Sequence, residues 1–122
     1  MTASTSDRPL TADEFLDLPR PELTRRELID GELVVVHGPG LDHQLAVGAL
    51  YYRLQQWCHG GTGRGFLVLD GDTGLNDRTV LRPDLQWFAA GRDNRAEERR
   101  SLPLGDQVVE VRSPTTRSRD IG

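Results

Sequence analysis

Residues 27–36, Glu-Leu-Ile-Asp-Gly-Glu-Leu-Val-Val-Val, are the stretch that decides the fold. An Asp-Gly pair between two runs of β-prone residues is a strong signal for a two-residue hairpin turn. With Asp30 and Gly31 in that turn, Glu27 pairs with Val34 across the hairpin. The sequence therefore predicts an antiparallel hairpin that places the Glu27 carboxylate among apolar neighbours, which is unusual for a charged side chain.

A helix is predicted on each side of this hairpin. Thr11-Ala12-Asp13-Glu14 has the spacing of a capping box, so a short helix should run to about Leu18, before Pro19. After the Gly-Pro-Gly break at residues 38–40, apolar residues recur at helical spacing from Leu41 to about Cys58. The hairpin is therefore expected between a short helix and a long one.

Strands are predicted for most of the remaining chain. Short apolar runs occupy residues 65–69, 79–88 and 107–112, and a turn-rich connection is expected at residues 72–78. Pro83, inside the second run, indicates an edge position or a bulge. The element order predicts an α/β or α+β domain over residues 10–122, after a loose leader at residues 1–9.

Composition limits the functional classes. A chain of 122 residues forms one domain, and its net charge of −4 argues against a protein that coats nucleic acid, although a local Arg-lined groove stays open. The single cysteine, Cys58, excludes an intramolecular disulfide and fits a reducing cytoplasm. No membrane span or signal peptide is recognisable, so a cytoplasmic location is expected. All fifteen basic residues are Arg, so no lysine is available to a mechanism.

Two carboxylates stand in or beside apolar, strand-like runs. Asp84 follows Arg82-Pro83, and Glu110 lies between Val109 and Val111. Burying an ionised group without a partner costs several kcal/mol, so such residues are usually kept by a metal or a reaction. Hard oxygen ligands on rigid strands suit Mg²⁺ or Mn²⁺ in phosphodiester hydrolysis. Strand alternation would place Arg112 on the face of Glu110, where a cation stabilises developing charge.

Simpler explanations fit parts of this pattern equally well. Asp84 and Glu110 could form ordinary carboxylate–arginine ion pairs at a sheet edge. A small interaction module that needs no metal is a further alternative, and it requires the two carboxylates to lie far apart. His43 could reach the mouth of the site or simply cap its helix. The remaining candidates are expected to be structural or solvated, namely His37, His59, Cys58 and the charged residues between 91 and 100.

Several segments together resemble one protein family. These are residues 27–33 (Glu-Leu-Ile-Asp-Gly-Glu-Leu), His43, residues 82–85 (Arg-Pro-Asp-Leu), residues 108–111 (Val-Val-Glu-Val) and residues 113–120. In this order and spacing they are similar to the Uma family of the PD-(D/E)XK nuclease superfamily, from about Leu10 to the last residue. The resemblance implies a restriction-endonuclease-like core, in which a mixed sheet is flanked by helices.

The resemblance also implies an activity and its residues. A Uma-type protein would be a metal-dependent DNA endonuclease, with Asp84 and Glu110 as the metal carboxylates and Glu27 as a further acidic site residue. The backbone carbonyl of Val111 would assist in binding Mg²⁺ or Mn²⁺, and Arg112 would stabilise charge on a DNA phosphate. Arg117 and Arg119 are further candidates for contacts to the phosphate backbone.

Two departures from the family pattern support a competing prediction. Superfamily members usually carry a Lys where this chain has Arg112, and Arg stays protonated, so it cannot act as a base. The family lysine lies on a helix shortly after the position of Asp120, and this chain ends at Gly122, so the C-terminal part is expected to be missing. The alternative is an inactive or truncated relative that binds nucleic acid or protein. Exposed apolar sheet surface would then favour a homodimer.

Overall fold

A computed structural model describes residues 8–19, 24–37, 40–92 and 100–111. Two helices lie in these ranges, α1 (Ala12–Asp17) and α2 (Leu41–His59). The strands are β1 (Thr24–Ile29), β2 (Glu32–His37), β3 (Phe66–Leu69), β4 (Thr73–Asn76), β5 (Thr79–Leu81), β6 (Leu85–Phe88) and β7 (Gln107–Val109). They form a four-stranded sheet of order β2-β1-β5-β4 and a three-stranded sheet of order β3-β6-β7. The predicted α+β class is confirmed.

The hairpin of β1 and β2 has the predicted turn and register. Asp30 and Gly31 have φ values of 51° and 84°, and both lie in the turn. Glu27 pairs with Val34 and Leu28 with Leu33, as the two-residue loop requires. Positive φ at both central positions is the signature of the turn that suits the twist of a hairpin. The Asp-Gly dipeptide therefore predicted the turn and the register of the hairpin correctly.

Helix α1 begins with the predicted capping box. The Glu14 backbone N–H donates to Thr11 Oγ1 at 3.1 Å, and the Thr11 N–H donates to Glu14 Oε1 at 2.9 Å. These two bonds satisfy donors that a helix start leaves open. The helix buries Phe15 completely, against Leu28 of β1 and Val80 of β5. The amphipathic first helix thus anchors the core of the four-stranded sheet.

The prediction of a turn-rich connection at residues 72–78 is wrong, because a strand runs through it. β4 pairs antiparallel with β5, with a register shift between Gly74 and Asn76. Asn76 Oδ1 accepts a hydrogen bond of 2.8 Å from the Arg78 N–H and so closes the turn between the strands. Gly and Asn in a strand give a turn signal, and pairing with the apolar strand β5 overrides it.

The second sheet corrects two further predictions. β6 is its central strand, so Pro83 marks neither an edge strand nor a bulge; it lies buried just before β6 begins. A proline in that place removes no ladder hydrogen bond. β7 ends at Val109 rather than at residue 112, so Glu110 follows the strand and does not belong to it. Strand alternation in β7 therefore does not set the direction of the Glu110 side chain, and it gives no basis for placing Arg112 on the same face.

The long helix α2 extends over the predicted residues and packs on β3. Its buried residues are Val47 and Cys58, which agrees with a packing role for the cysteine. The exposed side includes Leu41, Leu45 and Tyr52, and the expected homodimer stays a prediction. In the described part of the chain, no helix is both long and apolar enough to cross a membrane.

Candidate functional site

Asp84 lies between Pro83 and the start of β6, and its side chain is only 5% exposed. The segment that carries Asp84 is bonded to the residue that follows β3, because the Asp84 carbonyl accepts a hydrogen bond of 3.1 Å from the Asp70 N–H. Both carboxylate oxygens of Asp84 have partners: Arg25 on Oδ1, and His43 together with the Val111 N–H on Oδ2. The charge beside an apolar run predicted a carboxylate that needs a partner, and the partners of Asp84 are polar protein groups.

Glu110 lies beyond the end of β7, half exposed at 50%. Its Oε2 is 3.5 Å from Nη2 of Arg25, so Asp84 and Glu110 share one guanidinium. Burial raises the pKa of the Glu110 carboxyl, and repulsion from Asp84 and Glu27 adds to that effect, whereas Arg25 and His43 oppose it. The two carboxylates are therefore close, and the condition for a metal-independent module, that they lie far apart, is not met.

Glu27 belongs to the same cluster through β1. Its Oε2 accepts a hydrogen bond of 2.7 Å from the backbone N–H of Arg82, two residues before Asp84. The negative charge of Glu27 also contributes to the raised pKa of Glu110. The three predicted acidic residues thus come from β1, from the turn before β6 and from the end of β7, and the fold brings them together.

Arg25 is the residue that sequence analysis missed. It lies on β1 two residues before Glu27, so both side chains project from the same face of the strand. Its Nη1 donates to Asp84 Oδ1 at 2.8 Å, and its Nη2 donates to the carbonyl oxygen of Arg82. The available signal was strand alternation, which places Arg25 on the same face of β1 as Glu27, a carboxylate already singled out.

His43 comes from the first turn of α2, and the structure brings it into the cluster. Its Nε2 lies 3.2 Å from Asp84 Oδ2, and the ring is only 9% exposed. A carboxylate accepts hydrogen bonds, so Asp84 orients the ring with Nε2 as the donor. Nδ1 is buried and has no hydrogen-bond partner among the described residues. Of the two alternatives for His43, the structure shows the one in which the side chain reaches the acidic residues. His59, in contrast, ends α2 beside Gln55.

Val111 and Arg112 are both predicted site positions, and only Val111 lies among the described residues. The Val111 N–H donates to Asp84 at 2.7 Å, so the backbone at Val111 contacts the cluster through its nitrogen. Arg112, Arg117 and Arg119 lie outside the described residues, as does the charged segment at residues 93–99. The predicted role of Arg112 therefore rests on sequence alone.

Comparison with known proteins identifies a family whose model matches this chain. The model of the Uma2 family, described as "Putative restriction endonuclease", matches residues 12–122. The chain belongs to the Uma2 family. The match covers all of the elements that form the acidic cluster, and the α+β arrangement is consistent with a restriction-endonuclease-like fold. A search of curated proteins finds no match.

Membership of the Uma2 family raises the question of a metal ion. Carboxylate oxygens are the ligands that Mg²⁺ and Mn²⁺ prefer, so the donor chemistry of Asp84, Glu110 and Glu27 fits such an ion. Within the described ranges, however, no three His, Cys, Asp or Glu side chains are arranged to hold one. The cation that contacts Asp84 and Glu110 here is the guanidinium of Arg25.

Proposed function

We propose that this Uma2-family protein hydrolyses phosphodiester bonds in DNA with the help of Mg²⁺ or Mn²⁺. Asp84 and Glu110 would bind the metal, the Val111 backbone would assist, and Glu27 would complete the acidic cluster. The observation that carries the proposal is that Asp84 and Glu110, from distant parts of the chain, share one guanidinium, with Glu27 bonded to the backbone of Arg82 nearby. Such a cluster lowers stability, so a role in binding a cation explains why it exists.

The protein's own groups have separate roles in this proposal. Asp84 is held in place by the N–H of Val111 and by His43, so its position does not depend on a ligand. The Glu27 carboxylate holds the backbone of Arg82 and adds negative charge. A bound metal would supply a Lewis acid for the phosphoryl oxygen and a more acidic water. Arg112, next after Val111 in the chain, would stabilise charge on the phosphate.

A second candidate is a binding module that does not cleave its partner. One observation favours it: both oxygens of Asp84 are already engaged by protein groups. A carboxylate satisfied in this way can be purely structural, as in an ordinary buried ion pair. The two candidates differ in one measurable property, which is the affinity of the folded protein for a divalent cation.

Calorimetric titration of Mn²⁺ into the folded protein tests the proposal. Binding should disappear in Asp84→Ala and should persist in Asp70→Asn, because the exposed Asp70 carboxylate pairs with Arg82 outside the cluster and Asn tolerates the positive φ of 49° at this position. Glu110→Gln supplies a second test at a half-exposed position, where folding is at little risk. Absence of binding to the folded wild type would contradict the nuclease proposal, and the binding module would then be preferred.

A further inference from the structure

The guanidinium of Arg25 is the centre of the contacts in the acidic cluster. It reaches three acceptors: Asp84 Oδ1 at 2.8 Å, Glu110 Oε2 at 3.5 Å and the carbonyl oxygen of Arg82. These acceptors belong to the segment before β6 and the segment after β7, whereas Arg25 itself belongs to β1 of the other sheet. One side chain therefore supplies the positive charge that lets these segments converge.

The charge in the cluster is only partly neutralised by Arg25. Asp84 and Glu110 both contact the single guanidinium of Arg25, and the Glu27 carboxylate projects from the same face of β1 as Arg25. A divalent ion would neutralise twice as much charge as Arg25 does. The cluster therefore favours a cation of higher charge.

The oxygens of Asp84 are divided between two kinds of partner. Oδ2 accepts from the Val111 N–H and contacts His43, and both of these come from the surrounding scaffold. Oδ1 contacts Arg25. Removing the guanidinium would thus free Asp84 Oδ1 and Glu110 Oε2 and leave both contacts to Oδ2 in place. The carboxylate keeps its orientation while one oxygen on each acid becomes available.

We propose that Arg25 is a displaceable counter-cation, which holds Asp84 and Glu110 together without metal and competes with a divalent ion for Asp84 Oδ1 and Glu110 Oε2. The proposal rests on the proposed metal-dependent function. An arginine side chain stays protonated at any physiological pH, so Arg25 leaves the cluster only by moving. Its side chain is 18% exposed and long enough to reach solvent, and guanidinium is weakly hydrated, so both states are accessible.

The first test compares Arg25→Met with a matched control, Arg82→Met. Both variants lose one positive charge from a side chain of similar exposure, 18% for Arg25 and 23% for Arg82. The Arg82 side chain pairs with Asp70 and Asp72 and not with Asp84. In titrations, Arg25→Met should bind Mn²⁺ more tightly than the wild type by a factor of about ten or more. Arg82→Met should bind Mn²⁺ with the affinity of the wild type.

Other outcomes would overturn it, and they separate it from the proposed function. If the wild type binds Mn²⁺ and Arg25→Met binds it equally or more weakly, the metal site is supported. The proposal that Arg25 competes with the metal is then wrong. If both variants bind Mn²⁺ more tightly by the same factor, the gain in affinity comes from the loss of net positive charge and not from the position of Arg25. No binding in any folded variant would remove the proposed function together with the counter-cation.

A second measurement uses the wild type and does not depend on whether Arg25→Met folds. Nitrogen-15 NMR of the arginine side chains is recorded during titration with diamagnetic Mg²⁺. The Arg25 Nε signal should shift or broaden in step with Mg²⁺ binding, whereas the Arg82 signal should stay in place. An Arg25 signal that does not change while Mg²⁺ saturates the protein would contradict displacement.

Discussion

The Glu27 carboxylate accepts a hydrogen bond of 2.7 Å from the backbone N–H of Arg82. This bond joins β1 to the segment that carries Asp84, so it sets the distance between the hairpin and the buried acid. A backbone donor needs an acceptor, and it does not require that acceptor to be charged. The contact therefore gives Glu27 a structural task that is separable from its negative charge.

We expect Glu27→Gln and Glu27→Ala to differ in stability for this reason. The amide of Gln keeps an acceptor oxygen, so its free energy of unfolding should fall by less than about 1 kcal/mol. Ala removes the acceptor, and a loss of about 2 kcal/mol is expected. Urea unfolding of the two variants measures the difference. Equal destabilisation by Gln and Ala would show that the charge of Glu27, and not its hydrogen bond, is what matters.

Glu110 predicts a pH dependence of stability. Its pKa is raised in the folded state above the ordinary value of 4.5, mainly by burial, so the folded protein binds this proton more tightly than the unfolded chain does. That contribution to stability is present below the unfolded pKa and is lost as the pH rises through the folded pKa. Glu110→Gln should therefore melt at a higher temperature than the wild type near pH 7, and the gain should vanish near pH 4.

Asp106 supplies a control of opposite sign for that measurement. The Ala89 N–H donates to its carboxylate at 2.8 Å and lowers its pKa, with a further effect from Arg92. This stabilisation is present above the unfolded pKa and is lost as the pH falls through the folded pKa. Asp106→Asn should therefore lower the melting temperature near pH 7 and have little effect at low pH. The same pH response in both variants would contradict the assignment.

Local sequence signals predicted the parts of this fold that local interactions determine. The turn at Asp30 and Gly31 and the capping box of Thr11 and Glu14 depend on residues within three positions of one another. Helix α2 was equally readable, because its apolar spacing extends over nineteen residues. The apolar neighbours of Glu27 across the hairpin marked it as an unusual carboxylate, and the family resemblance implied its place among the site residues.

The parts that sequence analysis missed depend on contacts between distant segments. Arg25 and Asp84 are separated by 59 positions. Strand periodicity predicts on which face of β1 the Arg25 side chain lies, but it does not predict which distant segment packs against that face. β4 exists because β5 pairs with it, although its own Gly74 and Asn76 indicate a turn. β7 was predicted too long, since an apolar pattern continues past Val109 while the ladder with β6 ends there.

The pair formed by Arg25 and Asp84 can be measured by a double-mutant cycle of Arg25→Met and Asp84→Asn. Each single change leaves a buried or partly buried group without its charged partner, so each should lower the free energy of unfolding by about 3 kcal/mol. The double variant should lose less than the sum of the two, because neither Arg25 nor Asp84 is then left as a charge without the other. Additive losses would show that the two side chains do not interact energetically despite their 2.8 Å contact.

Gln86 predicts a stability effect in the body of the fold. Its side chain is 1% exposed; Nε2 donates to Thr73 Oγ1 at 2.8 Å, and Oε1 accepts from the Gly105 N–H at 2.7 Å. β6 of one sheet is thereby bonded to β4 of the other. Gln86→Met fills similar volume but leaves the partly buried Gly105 donor without its acceptor and Thr73 without its donor, so a loss of about 2 kcal/mol in unfolding free energy is expected.

The companion variant Thr73→Val shows whether the loss comes from this chain of hydrogen bonds. Thr73 Oγ1 also donates to the carbonyl of Gly71 at 3.0 Å, so both residues belong to one chain of bonds. If the bonds act as a unit, the double variant should cost about 1 kcal/mol less than the sum of the single losses, as urea unfolding would show. Strict additivity, with a small loss in Gln86→Met, would mean that water replaces the bonds and that apolar packing alone joins the sheets.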